Sequence, residues 1–223
     1  MKNTTFLLLV LFLMLSVSLH AQRRISSSYN RLGIQAAVTY GGIETSNFST
    51  QSKIGYLAGL TTRANVYNNF TIIYGVNFFE SRTGINLQRE TGQIYHEIDF
   101  KTTGAQLNLF LGHKLIGEHL SFEAGPILQV NSKWSTSDEY KNYYVEDYNL
   151  QAKDLEDISK IHLNVAANIS TGFKSFKFWF QYQYGVTNMF KKLNTVELQQ
   201  QEPKAVNLEG HMGMALAGIV VYL

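Results

Sequence analysis

Five histidines follow the apolar start of the chain, His96, His113, His119, His162 and His211, and there is no cysteine anywhere. Without thiols there are no disulfides, thiolate metal sites, cysteine nucleophiles or lipidated N-terminal cysteine. Nucleophilic catalysis by histidine needs the ring beside a hydroxyl, with a third group to orient it. His96 stands next to Glu97 and close to Asp99, which is suggestive but unspecific, and His162 alternates with apolar neighbours. No compact catalytic signature appears. The His, Asp and Glu spacings match no metal site, and nothing calls for a cofactor. The expectation is a protein that is not an enzyme.

Two further groups of residues carry chemistry of another kind. Glu123 lies in the alternating segment Leu120 to Val130, on the polar side, where desolvating a carboxylate is costly without a partner. Arg63, Arg82, Lys177 and His162 are the candidate partners, and a structural interior ion pair is the expected role, with gating or proton linkage as the alternative. The second group is the stretch Ser135 to Ser159. It holds Asp138, Glu139, Glu146, Asp147, Asp154, Glu156 and Asp157 with Tyr140, Tyr143, Tyr144 and Tyr148. Tyrosines interleaved with carboxylates suit a protein or cation contact, with Tyr140, Tyr143, Tyr144, Asp138 and Glu139 as the candidates. A plain solvated loop is the blander expectation. Lys191 and Lys192 are placed to meet anionic headgroups.

The elements that position these residues are strands. Of 223 residues, 45% are hydrophobic and only 16% charged, with a formal charge of +2. So balanced a charge gives no reason to expect nucleic acid as a partner. Lys2, the apolar run Phe6 to Leu15 and the small residue Ala21 have the layout of a signal peptide, too short to span a membrane. The expected organisation is a signal peptide at 1–21, a periplasmic segment at 22–30 and a β-barrel domain at 31–223.

The rest alternates with a period of two, the strand signal. In FTIIYGVNFF, Phe70, Ile72, Tyr74, Val76 and Phe78 share a face, and Asn77 lies on the other. Phe176 to Val186 sets aromatics against Gln181, Gln183 and neighbours; Ile161 to Ile169 sets apolar residues against His162, Asn164 and Asn168. Leu32 to Tyr40, Ile54 to Arg63, Leu120 to Val130, Tyr95 to Leu111 and Gly210 to Leu223 make eight. In Tyr95 to Leu111 the apolar parity switches, and a bulge at Thr102 to Gly104 is expected to reset the face. Pro126 removes a ladder donor, which a bulge beside Gly125 would accommodate. The last strand is apolar on both faces.

The polar faces carry Gln, Asn, Thr, Gly and Ala rather than Lys or Glu, which suits a narrow interior whose side chains satisfy one another. Aromatics such as Tyr40, Tyr56, Phe78, Phe176 and Tyr184 at strand ends match interfacial girdles. Connections alternate: Asn65 to Asn69, His113 to His119 and Gly172 to Ser175 are short, while Gly42 to Lys53, Ser81 to Gly92, Ser135 to Ser159 and Lys191 to Glu209 are long. With both termini periplasmic, the expected fold is all-β, an eight-stranded antiparallel transmembrane up-and-down β-barrel in the outer membrane. Average hydropathy close to neutral fits, because apolar and polar faces cancel. A soluble ligand-binding barrel is the alternative.

Several segments resemble the outer membrane β-barrel domain family that includes the PorT-like proteins: LGIQAAV from Leu32, the hairpin Ile54 to Gly84, SFEAGPIL from Ser121, FQYQYGVTNMF from Phe180 and the closing strand. The resemblance covers about residues 31 to 223 and implies an outer-membrane barrel of about eight strands. Some members are linked to a dedicated secretion system; most have no assigned activity. Together these readings predict a non-enzymatic barrel with a structural or interaction role through its outer loops, possessing an accessory task in secretion or envelope assembly as one form of it. Its partners are outer-membrane lipid and a protein at the loops. A lipid-modifying barrel enzyme is the rival reading. The polar lumen candidates are Glu123, His162, Asn164, Asn77, Gln181 and Gln183.

Overall fold

The computed structural model describes residues 30–90 and 94–223. The expected signal peptide and nearly all of the expected periplasmic segment lie outside the described residues. Eight long strands form a closed antiparallel ring: β1 (Arg31–Glu44), β2 (Thr50–Tyr67), β3 (Phe70–Gln88), β4 (His96–Ile116), β5 (Leu120–Asn131), β7 (Ile161–Gly172), β8 (Phe176–Gly185) and β9 (His211–Tyr222). Each pairs with its neighbour in sequence, and β1 pairs with β9 to close the ring, so no edge is left across the membrane. The short strand β6 (Tyr144–Val145) adds to the outer end of β3. No described helix is long and apolar enough to cross a bilayer; the crossing is made by strands.

Side-chain parity separates two environments. Leu32, Ile34, Val38, Tyr40, Leu60, Tyr74, Val76, Leu107, Leu109, Phe122, Leu163, Val165, Phe178 and Phe180 face outward and are exposed, which only lipid makes favourable. Asn77, Asn108, Gln106, Gln129, Glu123, Asn164 and Gln183 face inward and are buried. The turns at the terminal end are tight. In the β2–β3 turn Asn68 takes φ 47°, and Gly117 takes φ 50° between β4 and β5. The outer connections are longer, as the alternation of lengths requires.

Both expected bulges are absent, for instructive reasons. The β3–β4 register runs unbroken from Phe70↔His113 to Leu87↔His96, through Thr102, Thr103 and Gly104. What switches is the environment. Ile98 and Phe100 lie on the part of β4 that continues beyond the bilayer, and Phe100 points inward into an apolar cluster above the lumen, so the apolar face moves from outside to inside while the backbone stays regular. A real bulge sits elsewhere, between Ser52 and Tyr56 on β2. At Pro126 the register is also unchanged. The ladder to β4 skips from Asn108↔Ile127 to Leu111↔Ala124, while pairing with β7 continues through Pro126↔Val165. A missing donor needs only a local gap on one side.

Candidate functional site

The lumen is built around one ion pair. Glu123 on β5 is 0% exposed and meets Arg63 on β2, with Arg63 Nη2 donating to Glu123 Oε1 at 2.7 Å. Of the four candidate partners the fold selects Arg63. Ser170 Oγ donates to Glu123 Oε1 at 2.6 Å, Asn168 Nδ2 donates to Oε2, and Arg63 Nε donates to the Tyr222 hydroxyl at 3.1 Å. Both carboxylate oxygens therefore carry donors, which a buried charge requires. Lys177 is used otherwise: its ammonium donates to the Glu118 carbonyl near the periplasmic mouth, where Lys114 and Arg31 also pair with the Glu118 carboxylate. Arg82 pairs with Glu80 at 2.7 Å on the outer surface.

Amides fill the middle. Gln35 Nε2 donates to Asn77 Oδ1 at 2.6 Å, and Asn77 Nδ2 donates to Asn108 Oδ1 at 3.0 Å. Higher up, Gln106 and Asn164 both donate to Gln129 Oε1, at 2.9 and 2.8 Å. Gln181 Nε2 donates to Gln183 Oε1 at 3.3 Å. The lumen is less polar than the sequence suggests, because Leu57, Phe79, Trp179, Leu216, Val220 and Tyr222 also point inward. Aromatics lie over cross-strand glycines. Trp179 faces Gly218, Tyr222 faces Gly33 and Phe79 faces Gly104; a Cβ on Gly218 would stand 2.5 Å from the indole. That size matching closes the interior, leaving a cavity of about 30 Å³ beside Arg63, Asn168 and Trp179, room for a water molecule or two.

The outer loops are not a solvated fringe. Residues 132–160 and 186–210 fold over the mouth as a cap with its own core: Trp134, Val145, Leu150, Leu155, Ile158, Met189, Phe190, Leu193, Leu198 and Leu208 are buried with Phe48, Ile85, Leu87 and Phe100. An aromatic chain links every side of the mouth, with ring centroids 4.9 Å apart for Phe100–Trp134, 5.5 Å for Trp134–Phe190 and 5.8 Å for Phe190–Phe48. Backbone bonds fix the lid, including Trp134 N to Glu156 O at 3.0 Å and Glu146 N to Asn86 O at 3.1 Å. Asn188 Oδ1 accepts from Phe190 N and Gly210 N, pinning both ends of the last loop. That loop also contains the short helix α1 (Val196–Gln201), capped by Thr195. Glu202, which follows α1, is held below its ordinary pKa by backbone N–H donors from Asn149 first and Lys204 second, joining the two halves of the cap.

The expected loop residues differ in exposure on this cap. Tyr140 and Tyr143 are half-buried against the core and pack edge to face at 5.3 Å; Tyr144 lies on β6. Asp138 and Glu139 are exposed, and a hydrogen bond from Lys141 holds the Asp138 carboxyl below its ordinary range. His162 is buried at the outer rim, with Nε2 2.6 Å from Ser159 O and Nδ1 3.2 Å from Thr187 Oγ1. That geometry assigns the proton to Nε2, and Thr187 Oγ1 also accepts from Leu163 N, so the trio ties the rim together. The His96 side chain makes no hydrogen bond among the described residues, although its backbone pairs with Leu87. The signal for the cap core was present in the sequence as apolar residues scattered through the two long loops, masked by their acidic and tyrosine-rich composition.

A closed eight-stranded ring with an apolar outer belt, a filled lumen and a folded lid defines an outer-membrane barrel protein. The chain belongs to the outer membrane protein beta-barrel domain family, whose sequence model matches residues 20–191. No curated protein matches the chain. Among solved structures it is similar to Neisserial surface protein A, at 13% identity over 86% of this chain and 97% of the other, with a TM-score of 0.47. It is also similar to Ail, the attachment invasion locus protein of Yersinia pestis, solved with the heparin analogue sucrose octasulfate, at 14% identity over 87% and 99% with a TM-score of 0.47. OprG of Pseudomonas aeruginosa gives 7% identity over 88% and 97%, again with a TM-score of 0.47. The family match and the strand ring carry the assignment.

Proposed function

We propose that this protein is a non-enzymatic outer-membrane barrel whose rigid cap is an interaction surface, serving a protein partner at the cell surface as an accessory to secretion or envelope assembly. The observation that supports this reading is the cap core: Trp134, Leu155, Phe190 and Leu208 are all buried above a lumen that is itself filled. A lid with its own packed core holds its outer residues in fixed relative positions, so a partner binding it avoids much of the cost of ordering a loop. Tyr140, Tyr143, Asp138 and Glu139 form the contact patch in this reading, combining aromatic area with a charged rim.

The test is proximity cross-linking on intact cells followed by affinity purification, comparing the natural chain with Glu139→Lys and Tyr143→Ala. A discrete cross-linked partner that is weakened at least tenfold in both variants, with barrel folding unchanged, is the expected result. Identical cross-links in all three proteins would refute the patch. Deleting the whole of 135–159 is a poor test, because it removes Val145, Leu150, Leu155 and Ile158 from the cap core as well as the surface.

A further inference from the structure

We propose that the outer rim between β5 and β7 is a specific site for the phosphate groups of an outer-leaflet phosphoglycolipid, held by Lys133, Lys160 and Lys192. Three separate segments bring these lysines together. The bond from Asn131 N to Lys160 O, at 2.9 Å, and that from Trp134 N to Glu156 O, at 3.0 Å, bracket Lys133 opposite the stretch from Asp157 to Ser159. Ser159 N donates to Met189 O at 2.9 Å, which draws the Met189–Leu193 turn alongside with Lys191 and Lys192. One carboxylate faces the group. Asp157 pairs with Lys192, and its pKa is held down by that hydrogen bond, with the fields of Lys133 and Lys160 adding.

Two of the three rim cations lack a direct counter-charge. Lys53, Arg82, Lys101 and Lys141 each lie within ion-pair distance of a carboxylate. Lys133 and Lys160 are exposed and have no carboxylate within 4.0 Å among the described residues. Clustered ammonium groups with a deficit of counter-charge repel one another and favour an anion of high charge density, which a phosphate monoester supplies. Directly below them, Val130 pairs with Ile161, which is 67% exposed, and Leu128 pairs with Leu163. The cluster therefore stands over an apolar wall suited to acyl chains. Asp138, Glu139 and Asp147 are exposed elsewhere on the cap, so a soluble polyanion gains only the rim charges and is repelled by the rest. Phosphate on the lysines with acyl chains on the wall uses both halves of the surface.

The site is independent of the cap's proposed protein partner. The full chain, purified in a zwitterionic detergent, is titrated with lipid A and read by native mass spectrometry. The rim variant Lys133→Gln/Lys160→Gln/Lys192→Gln is compared with Lys141→Gln/Lys153→Gln/Lys204→Gln, which removes the same charge from the cap. Each surface lysine contributes about fivefold to binding an anionic lipid, so the rim variant is expected to lose at least tenfold and the control less than threefold. Dephosphorylated lipid A should bind both weakly and equally. The double variant Lys133→Gln/Lys160→Gln, which breaks no ion pair, guards against misfolding and should lose several-fold. Equal losses in rim and control variants, or inorganic polyphosphate binding as tightly as lipid A, would overturn the proposal.

Discussion

Replacing Glu123 by leucine removes the carboxylate and leaves Arg63 charged in the lumen. Arg63 Nη2 then keeps only Ser170 Oγ, at 3.2 Å, and Nε keeps the Tyr222 hydroxyl. Neither partner carries charge, and Arg63 is only 5% exposed, so bulk water cannot replace the carboxylate and the small cavity beside it admits a water molecule or two at most. Breaking a buried pair from one side costs about 3–5 kcal/mol. Removing both, as Arg63→Met with Glu123→Leu, leaves apolar groups of similar length and no uncompensated charge, and should recover most of that loss. The assay is urea unfolding of the protein in phosphatidylcholine vesicles, followed by tryptophan fluorescence. With a urea dependence of about 2 kcal/mol per molar, the single variant should shift the midpoint down by about 2 M, and the double variant by less than half of that. A single variant within about 0.5 M of the natural chain, or a double variant no more stable than the single one, would refute the reasoning.

Gly218→Val should push against the Trp179 ring, where even a Cβ comes to 2.5 Å, costing about 1–3 kcal/mol and lowering the temperature at which the folded band is lost on gels. Planar bilayers containing the purified protein should show no stepwise conductance, since the lumen leaves a cavity of only about 30 Å³. Leu155→Asp should open the cap while the barrel stays folded, raising acrylamide quenching of Trp134 in a Trp179→Phe background. The cap should also loosen in acid. Glu202 has a depressed pKa in the folded cap, so its contribution is present above the ordinary glutamate value of about 4.3 and is lost as pH falls through the folded one. Protease nicking near Asn149 should rise over that window and lose this dependence in Glu202→Gln.

Much of the barrel was legible because a membrane strand obeys one rule along its length. Lipid outside and a narrow interior make parity alone place Asn77, Glu123, Gln183 and Asn164 inward, and the structure puts each there. Alternating connection lengths predicted that the long loops gather at one end of the ring, and the structure builds the cap there. Strand ends were less legible. β3 runs on to Gln88, nine residues past Phe79, where the outward apolar pattern stops, whereas β4 begins at His96, beside the expected Tyr95, and runs on to Ile116. Past that level the solvent contrast reverses, and a rule built on lipid reads the reversal as a bulge.

What the sequence by itself determined was therefore the period, the inward and outward sets, the strand number and the location. Tertiary structure decided which of four cations meets Glu123, because Arg63 lies 60 residues away and only ring closure brings β2 and β5 across the lumen from each other. It also decided that the tyrosine-rich acidic loop is part of a packed lid. Trp134, Phe190, Phe48 and Phe100 come from four separate segments, and no local pattern reveals that they share a core. Local periodicity encodes what each residue's immediate solvent must be; the pairing of distant residues depends on how the closed ring arranges those local choices in space.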